Sequence, residues 1–234
     1  MVLAPRTRLR KSPLLVVLSL LAACSREDAT RVTPAGLAAR GAALYQQSCA
    51  ACHGAQGEGR VRGNATALNN QDFLVIASDE FLRRTVALGR AGTEMPAWGR
   101  EAGGQLRPQA IADLVAFLRS WQRAPTRPAR ARASHGSPAR GAEMYLANCA
   151  NCHGPEGKGN LGMGPALNSP DLLAAASDGF LWETIARGRE GTPMFPSLRG
   201  LDGVRQLSER DVDDLVAFIR SWDRAGRGPA RASR

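Results

Sequence analysis

Two short stretches of this chain set reactive side chains at a spacing with few chemical uses. Cys49-Ala50-Ala51-Cys52-His53 and Cys149-Ala150-Asn151-Cys152-His153 each place two thiols three positions apart with a histidine directly after. A single such stretch could be half of a zinc site or a redox dithiol. A structural zinc needs further ligands, and the only other histidine is His135. A redox dithiol normally sits in an α/β pattern, and the sequence shows none. The remaining use is covalent attachment of haem, for which Cys-x-x-Cys-His is the known spacing. The two thiols reach the two vinyl groups on one porphyrin edge, and the adjacent imidazole points at the iron. Two copies imply two haem c groups, held by Cys49 and Cys52 and by Cys149 and Cys152, with His53 and His153 as iron ligands.

A second axial ligand must come from elsewhere. Met95 follows His53 in Gly-Arg-Ala-Gly-Thr-Glu-Met-Pro, and Met194 follows His153 in Gly-Arg-Glu-Gly-Thr-Pro-Met-Phe-Pro. The shared Gly-Arg-x-Gly-Thr-x-Met pattern, stiffened by a nearby proline, is suited to hold a weak thioether ligand. Methionines also fill gaps in cores, but a matched place in both copies favours ligation. Met163, close after the second motif, is the competitor.

These residues lie in a duplicated chain. Residues 40–52 and 140–152 align at an offset of 100, and Ala116–Trp121 aligns with Ala217–Trp222 at 101. Two copies of this length read as tandem domains, because solenoid repeats are shorter and more numerous. The expected boundaries are 38–123 and 138–224, joined by a Pro- and Arg-rich exposed linker over 124–137 and followed by a loose basic tail over 225–234. Helical spacing of Ile111, Leu114, Val115, Leu118 and Trp121, and of Val212, Leu215, Val216, Ile219 and Trp222, predicts a terminal helix in each copy. Pro108 suits the start of the first of these, and Ser208 with Asp211 suits a capping box at the second. Middle helices are expected from Ser78 to Gly89 and from Ser177 to Gly188, with serine caps and glycine stops. No segment alternates like a strand, so the fold class is all-α.

Along nearly its whole length each repeat resembles a class I cytochrome c domain. It has an N-terminal helix with Gly41 and Tyr45 (Gly141 and Tyr145), the haem motif, a methionine loop and a C-terminal helix with a late aromatic. The resemblance implies that the first and last helices cross at the small glycine with an aromatic packed on the crossing. It also implies His53 with Met95, and His153 with Met194, as axial pairs. The tandem arrangement is similar to that of di-haem periplasmic cytochromes. The methionine loops diverge after the ligand, Pro96-Ala97-Trp98-Gly99 against Phe195-Pro196-Ser197-Leu198, so the two potentials need not match.

The rest of the chain is an address and a setting. Residues 1–11 are basic, residues 13–22 are apolar but too short to span a bilayer, and small residues follow, which is the layout of a signal peptide over 1–23. Leu21-Ala22-Ala23-Cys24 resembles a bacterial lipobox, which implies lipidation of Cys24, a flexible tether over 24–37 and a membrane-anchored protein on the periplasmic side, with Ser25 leaning towards the outer membrane. The formal charge of +10 falls to +6 without the first 23 residues. Much of the rest sits in the linker and tail, with no nucleic-acid module, so a nucleic-acid partner is not expected.

A haem closed by histidine and methionine offers no open position for substrate, which favours electron transfer over catalysis, and methionine raises the potential. The expected role is an electron carrier between a quinol oxidoreductase or exported dehydrogenase and a terminal oxidase or reductase. A fixed electron-transfer subunit of a larger complex is the alternative. A di-haem enzyme such as a peroxidase or thiosulfate dehydrogenase is a further one, and would need a vacant or unusual axial position.

Overall fold

The structure, a computed structural model, describes residues 33–59, 62–127, 129, 135–200 and 206–226, with the side chains of 224–226 left out. The first repeat contains α1 (Pro34–Ser48), α2 (Ala50–His53), α3 (Gln71–Ile76), α4 (Asp79–Leu88), a 3₁₀ turn (Arg100–Ala102) and α5 (Pro108–Ser120). The second contains α6 (Pro138–Asn148), α7 (Ala150–His153), α8 (Pro170–Ala175), α9 (Asp178–Arg187) and α10 (Glu209–Gly226). Among the described residues there are isolated bridges but no strands.

The expected caps are present. Ser78 and Ser177 accept from the N–H groups of Phe81 and Phe180. Each satisfies one of the donors that a helix start leaves open. Gly89 and Gly188 end these helices at positive φ. Ser208 and Asp211 bond reciprocally at the start of α10. Helix ends shift two of the expected boundaries. The helix α1 begins at Pro34, inside the stretch read as a tether, where Pro suits a first turn. Ala225 and Gly226, read as tail, still belong to α10. The linker is exposed at 124–127 and at His135, and each described end makes a backbone tie: Arg127 N–H donates to Val75 O, and Ser137 N–H to Asp214 Oδ1.

In each repeat the first and last helices cross in contact, α1 on α5 and α6 on α10. The crossing needs glycine. A Cβ on Gly41 would lie 2.0 Å from Asp113 O, and one on Gly141 2.0 Å from Asp214 O. An aromatic trio covers the crossing: Tyr45 with Phe117 and Trp121, and Tyr145 with Phe218 and Trp222. Arg40 clamps Asp113 at 2.8 Å, and Arg140 clamps Asp214 at the same distance. Arg119 and Arg220 tie the last helix to the carbonyls of Leu74 and Ala77 and of Leu173 and Ala176. These carbonyls lie where α3 and α8 end, where backbone acceptors are otherwise open.

The two repeats pack on each other by matched contacts, α3 on α9 and α4 on α8. Glu190 N–H donates to Asp72 Oδ2 at 2.6 Å, and Ala91 N–H to Asp171 Oδ2 at 2.8 Å. The equivalent residues Phe81 and Phe180 stack at 4.4 Å. This reciprocity is the mark of a two-fold-like interface, built within one chain.

Candidate haem sites

In each repeat the chain enters the site from the crossing helices. Tyr45 OH donates to Gly54 O and Tyr145 OH to Gly154 O, both at 2.7 Å, which fixes the turn just past each histidine. The short helices α2 and α7 wind the motif so that both cysteines and the histidine come from one turn of backbone. The four motif cysteines are half-buried and none forms a disulfide. Burial, with a smaller contribution from the neighbouring cysteine, pushes the Cys49 and Cys149 thiols up to about 11. That is the opposite of a redox dithiol, whose nucleophile is held low.

The histidines are held for metal binding. His53 Nδ1 lies 2.9 Å from Thr66 O, and His153 Nδ1 lies 2.9 Å from Pro165 O. A bond to a carbonyl requires Nδ1 to carry the proton, which leaves Nε2 as the free lone pair for iron. Burial lowers the pKa of both rings, against the opposing effect of those carbonyl bonds. Both are therefore neutral near pH 7, the form that ligates.

The methionine loops fold on themselves identically. Thr93 Oγ1 donates to Arg90 O and accepts from Met95 N–H, while Arg90 N–H donates to Met95 O. Thr192, Arg189 and Met194 repeat the pattern. The threonine of the shared motif is thus the pin that sets the methionine backbone. Its recurrence two residues before each methionine was the signal for it in the sequence.

A cavity of about 490 Å³ is lined by Cys149, Cys152, His153 and Met194 together with Arg189 and, from the first repeat, Arg90. This is within the ~300–1,000 Å³ of small-molecule and cofactor sites. The structure so brings together the four residues expected of the second site. Met163 is on the lining too, but is 43% exposed. His135 is exposed. Cys24 lies outside the described residues.

Sequence reasoning did not single out the two arginines. Arg189 lies over the Phe73 ring at 4.9 Å, reaching across the interface. Its Nη1 is buried without a hydrogen-bond partner. Desolvation pushes Arg90 and Arg189 down to about 10, and for Arg189 the nearby Arg90 adds to this. Both stay charged at neutral pH. Asp72 offsets the lowering in part at Arg189, but neither cation makes a carboxylate ion pair among the described residues, and two like charges drawn out of water favour a further anionic complement. Haem carries two carboxylates on its propionate arms, so the lining fits the cofactor.

The fold and these sites define a pair of c-type haem domains. The family model described as Cytochrome c matches residues 38–122 and again 138–223. The chain belongs to the cytochrome c family and carries two covalently attached haem c groups. It is 33% identical over 191 residues to a Cbb3-type cytochrome c oxidase subunit FixP of Bradyrhizobium sp. (strain ORS 278), covering 78% of this chain and 60% of that protein. It is 30% identical over 201 residues to a Cbb3-type cytochrome c oxidase subunit CcoP of Azospirillum brasilense, covering 78% and 61%. The chain therefore spans about 60% of the length of these relatives. A solved chain of the Kuenenia stuttgartiensis reducing HAO-like protein complex shares the fold, with a TM-score of 0.50 at 20% identity, covering 78% of this chain and 95% of that one.

Proposed function

We propose that this protein transfers electrons one at a time between respiratory redox proteins through two haems, each ligated by histidine and methionine: His53 with Met95, and His153 with Met194. The observation that carries the reading is the pair of histidines locked through Nδ1 to backbone carbonyls, one of them sharing a cavity with its methionine and both attachment cysteines. Haem iron held in this way changes charge with little movement of its ligands, which is what electron transfer requires. The chain's own part is to hold the imidazoles by their carbonyls, pin the methionine backbone through Thr93 and Thr192, and receive propionates at Arg90 and Arg189. Methionine ligation and a low-dielectric pocket both disfavour ferric iron, so the potentials are expected to be positive.

The relatives named as oxidase subunits favour a fixed place in a terminal oxidase complex over free diffusion. The donor is then a quinol oxidoreductase or an exported dehydrogenase. Export through the leader at 1–23 and lipidation of Cys24 complete the proposal, supported by the order basic, apolar, small, cysteine. Among the described residues no helix is long and apolar enough to cross a membrane.

The test is carbon monoxide added to the reduced, haem-loaded protein. An unchanged absorption spectrum supports two sealed irons. A fast response from about half the haem refutes the carrier reading in favour of an open, catalytic site. Copurification of oxidase subunits with the tagged native protein separates the fixed subunit from the free carrier.

A further inference from the structure

The loops that hold the two axial histidines are tied together by one side chain. Asn64 belongs to the first repeat, two residues before Thr66, whose carbonyl receives the His53 Nδ1–H. Its Nδ2 donates to Asn160 O and to Gly164 O, both at 3.0 Å, and its Oδ1 accepts from Gly162 N–H at 2.7 Å. Those three partners span a turn of the second repeat, itself closed by Asn160 N–H donating to Gly164 O. The turn runs directly into Pro165, whose carbonyl receives the His153 Nδ1–H. It also lies against the ring: a Cβ on Gly164 would be 3.1 Å from His153 Cε1 and 2.8 Å from Cys152 O. A continuous route therefore runs from one imidazole to the other through Thr66, Asn64, Gly164 and Pro165. The second repeat has no asparagine between 161 and 167 to return the contact, so among the described residues the asparagine tie runs in one direction.

We propose that Asn64 is a positioning residue that couples the two axial histidines, so that the redox state of one haem changes the affinity of the other for an electron. This rests on the haem reading above. With haem bound, each imidazole would donate more strongly through Nδ1–H when its iron is ferric, and Thr66 O or Pro165 O would be drawn towards it. Leu161 and Met163 at the tip of the turn are exposed, so the displacement is passed on through the hydrogen-bonded backbone from Asn160 to the buried Gly164 beside the His153 ring. Because the neighbouring loop is held at three points by one rigid amide, it follows, and linkage makes the effect reciprocal.

The experiment is a redox titration of the purified holoprotein in which each haem is followed by its own proton resonances. It yields the factor by which reducing one haem changes the electron affinity of the other. Asn64→Ala is expected to change that factor about twofold or more, the lower range for residues on a coupling route. Phe81→Leu thins the cross-repeat stack on Phe180, outside both histidine loops and both methionine loops, and should keep the wild-type factor. Haem content and circular dichroism establish that each variant is folded. An unchanged factor in Asn64→Ala overturns the proposal, as does an equal loss in Phe81→Leu, which would mean general loosening of the interface. In both cases the two histidine–methionine haems would remain intact. If the wild type fails to show two low-spin haems, the functional reading and this inference fall together.

Discussion

Substituting Gly141 by alanine tests the crossing that frames the second haem. Two effects oppose each other. Alanine is a better helix former than glycine by about 1 kcal/mol, which favours the variant. Against that, the new Cβ would sit 2.0 Å from Asp214 O and 2.8 Å from Phe218 Cβ, where ordinary contact begins at 3.4 Å. The helices must part by about 1.4 Å, because the obstacle is a backbone carbonyl that cannot swing aside. Overpacking costs about 1–3 kcal/mol, occasionally more, and this case belongs at the upper end. The net expectation is a loss of about 2 kcal/mol, or roughly 4–8 °C in the unfolding midpoint for a chain of this size. The damage should also reach the site, since α10 carries Phe218 and Trp222 against Tyr145, which holds the turn after His153. Thermal unfolding of the holoprotein, followed by helix signal and by haem absorbance, measures both. A variant as stable as the wild type would refute the claim that glycine is required by the approach of the helices.

Three other outcomes follow from the geometry. Met194→Ala should open one iron, so that reduced protein binds carbon monoxide at about half its haem, while Met163→Ala should stay silent. Arg189→Leu removes a buried cation beside the second haem and should lower that haem's potential by roughly 50 mV, about a tenfold change in electron affinity; the exposed Arg199→Leu should shift it far less because solvent screens it. Asp214 is held below the usual carboxylate range by its hydrogen bonds from Arg140, against burial and with help from Ser137 N–H. Its contribution is therefore complete above the unfolded value of about 3.9 and is lost as pH falls through the folded one. Unfolding midpoints followed from neutrality into acid should fall less steeply for Asp214→Asn, which begins less stable.

What the sequence determined about this protein is the chemistry and its duplication. Cys-x-x-Cys-His is local and covalent, so its meaning does not depend on how the rest folds. Helix periodicity, the caps at Ser78 and Ser177 and the glycine stops are likewise encoded within a turn or two of chain. The methionine loops were legible because the same seven-residue pattern occurs twice. Even the threonine pin could have been read from that recurrence. Tertiary structure alone decided what depends on contacts beyond a turn or two of chain, from a dozen to about a hundred positions apart. The acceptors for the two imidazoles are backbone carbonyls of Thr66 and Pro165, and a carbonyl leaves no mark in the residue type. Arg90 and Arg189 look like ordinary surface cations until packing withdraws them from water beside each other. Asn64 looks like a loop residue until the second repeat closes on its amide. The sequence showed two domains and a linker, which fits either independent beads or a packed pair. The choice was made by the sum of matched weak contacts between the repeats, Phe81 on Phe180 and the two aspartate bonds to backbone N–H, none of which exists until both domains are folded.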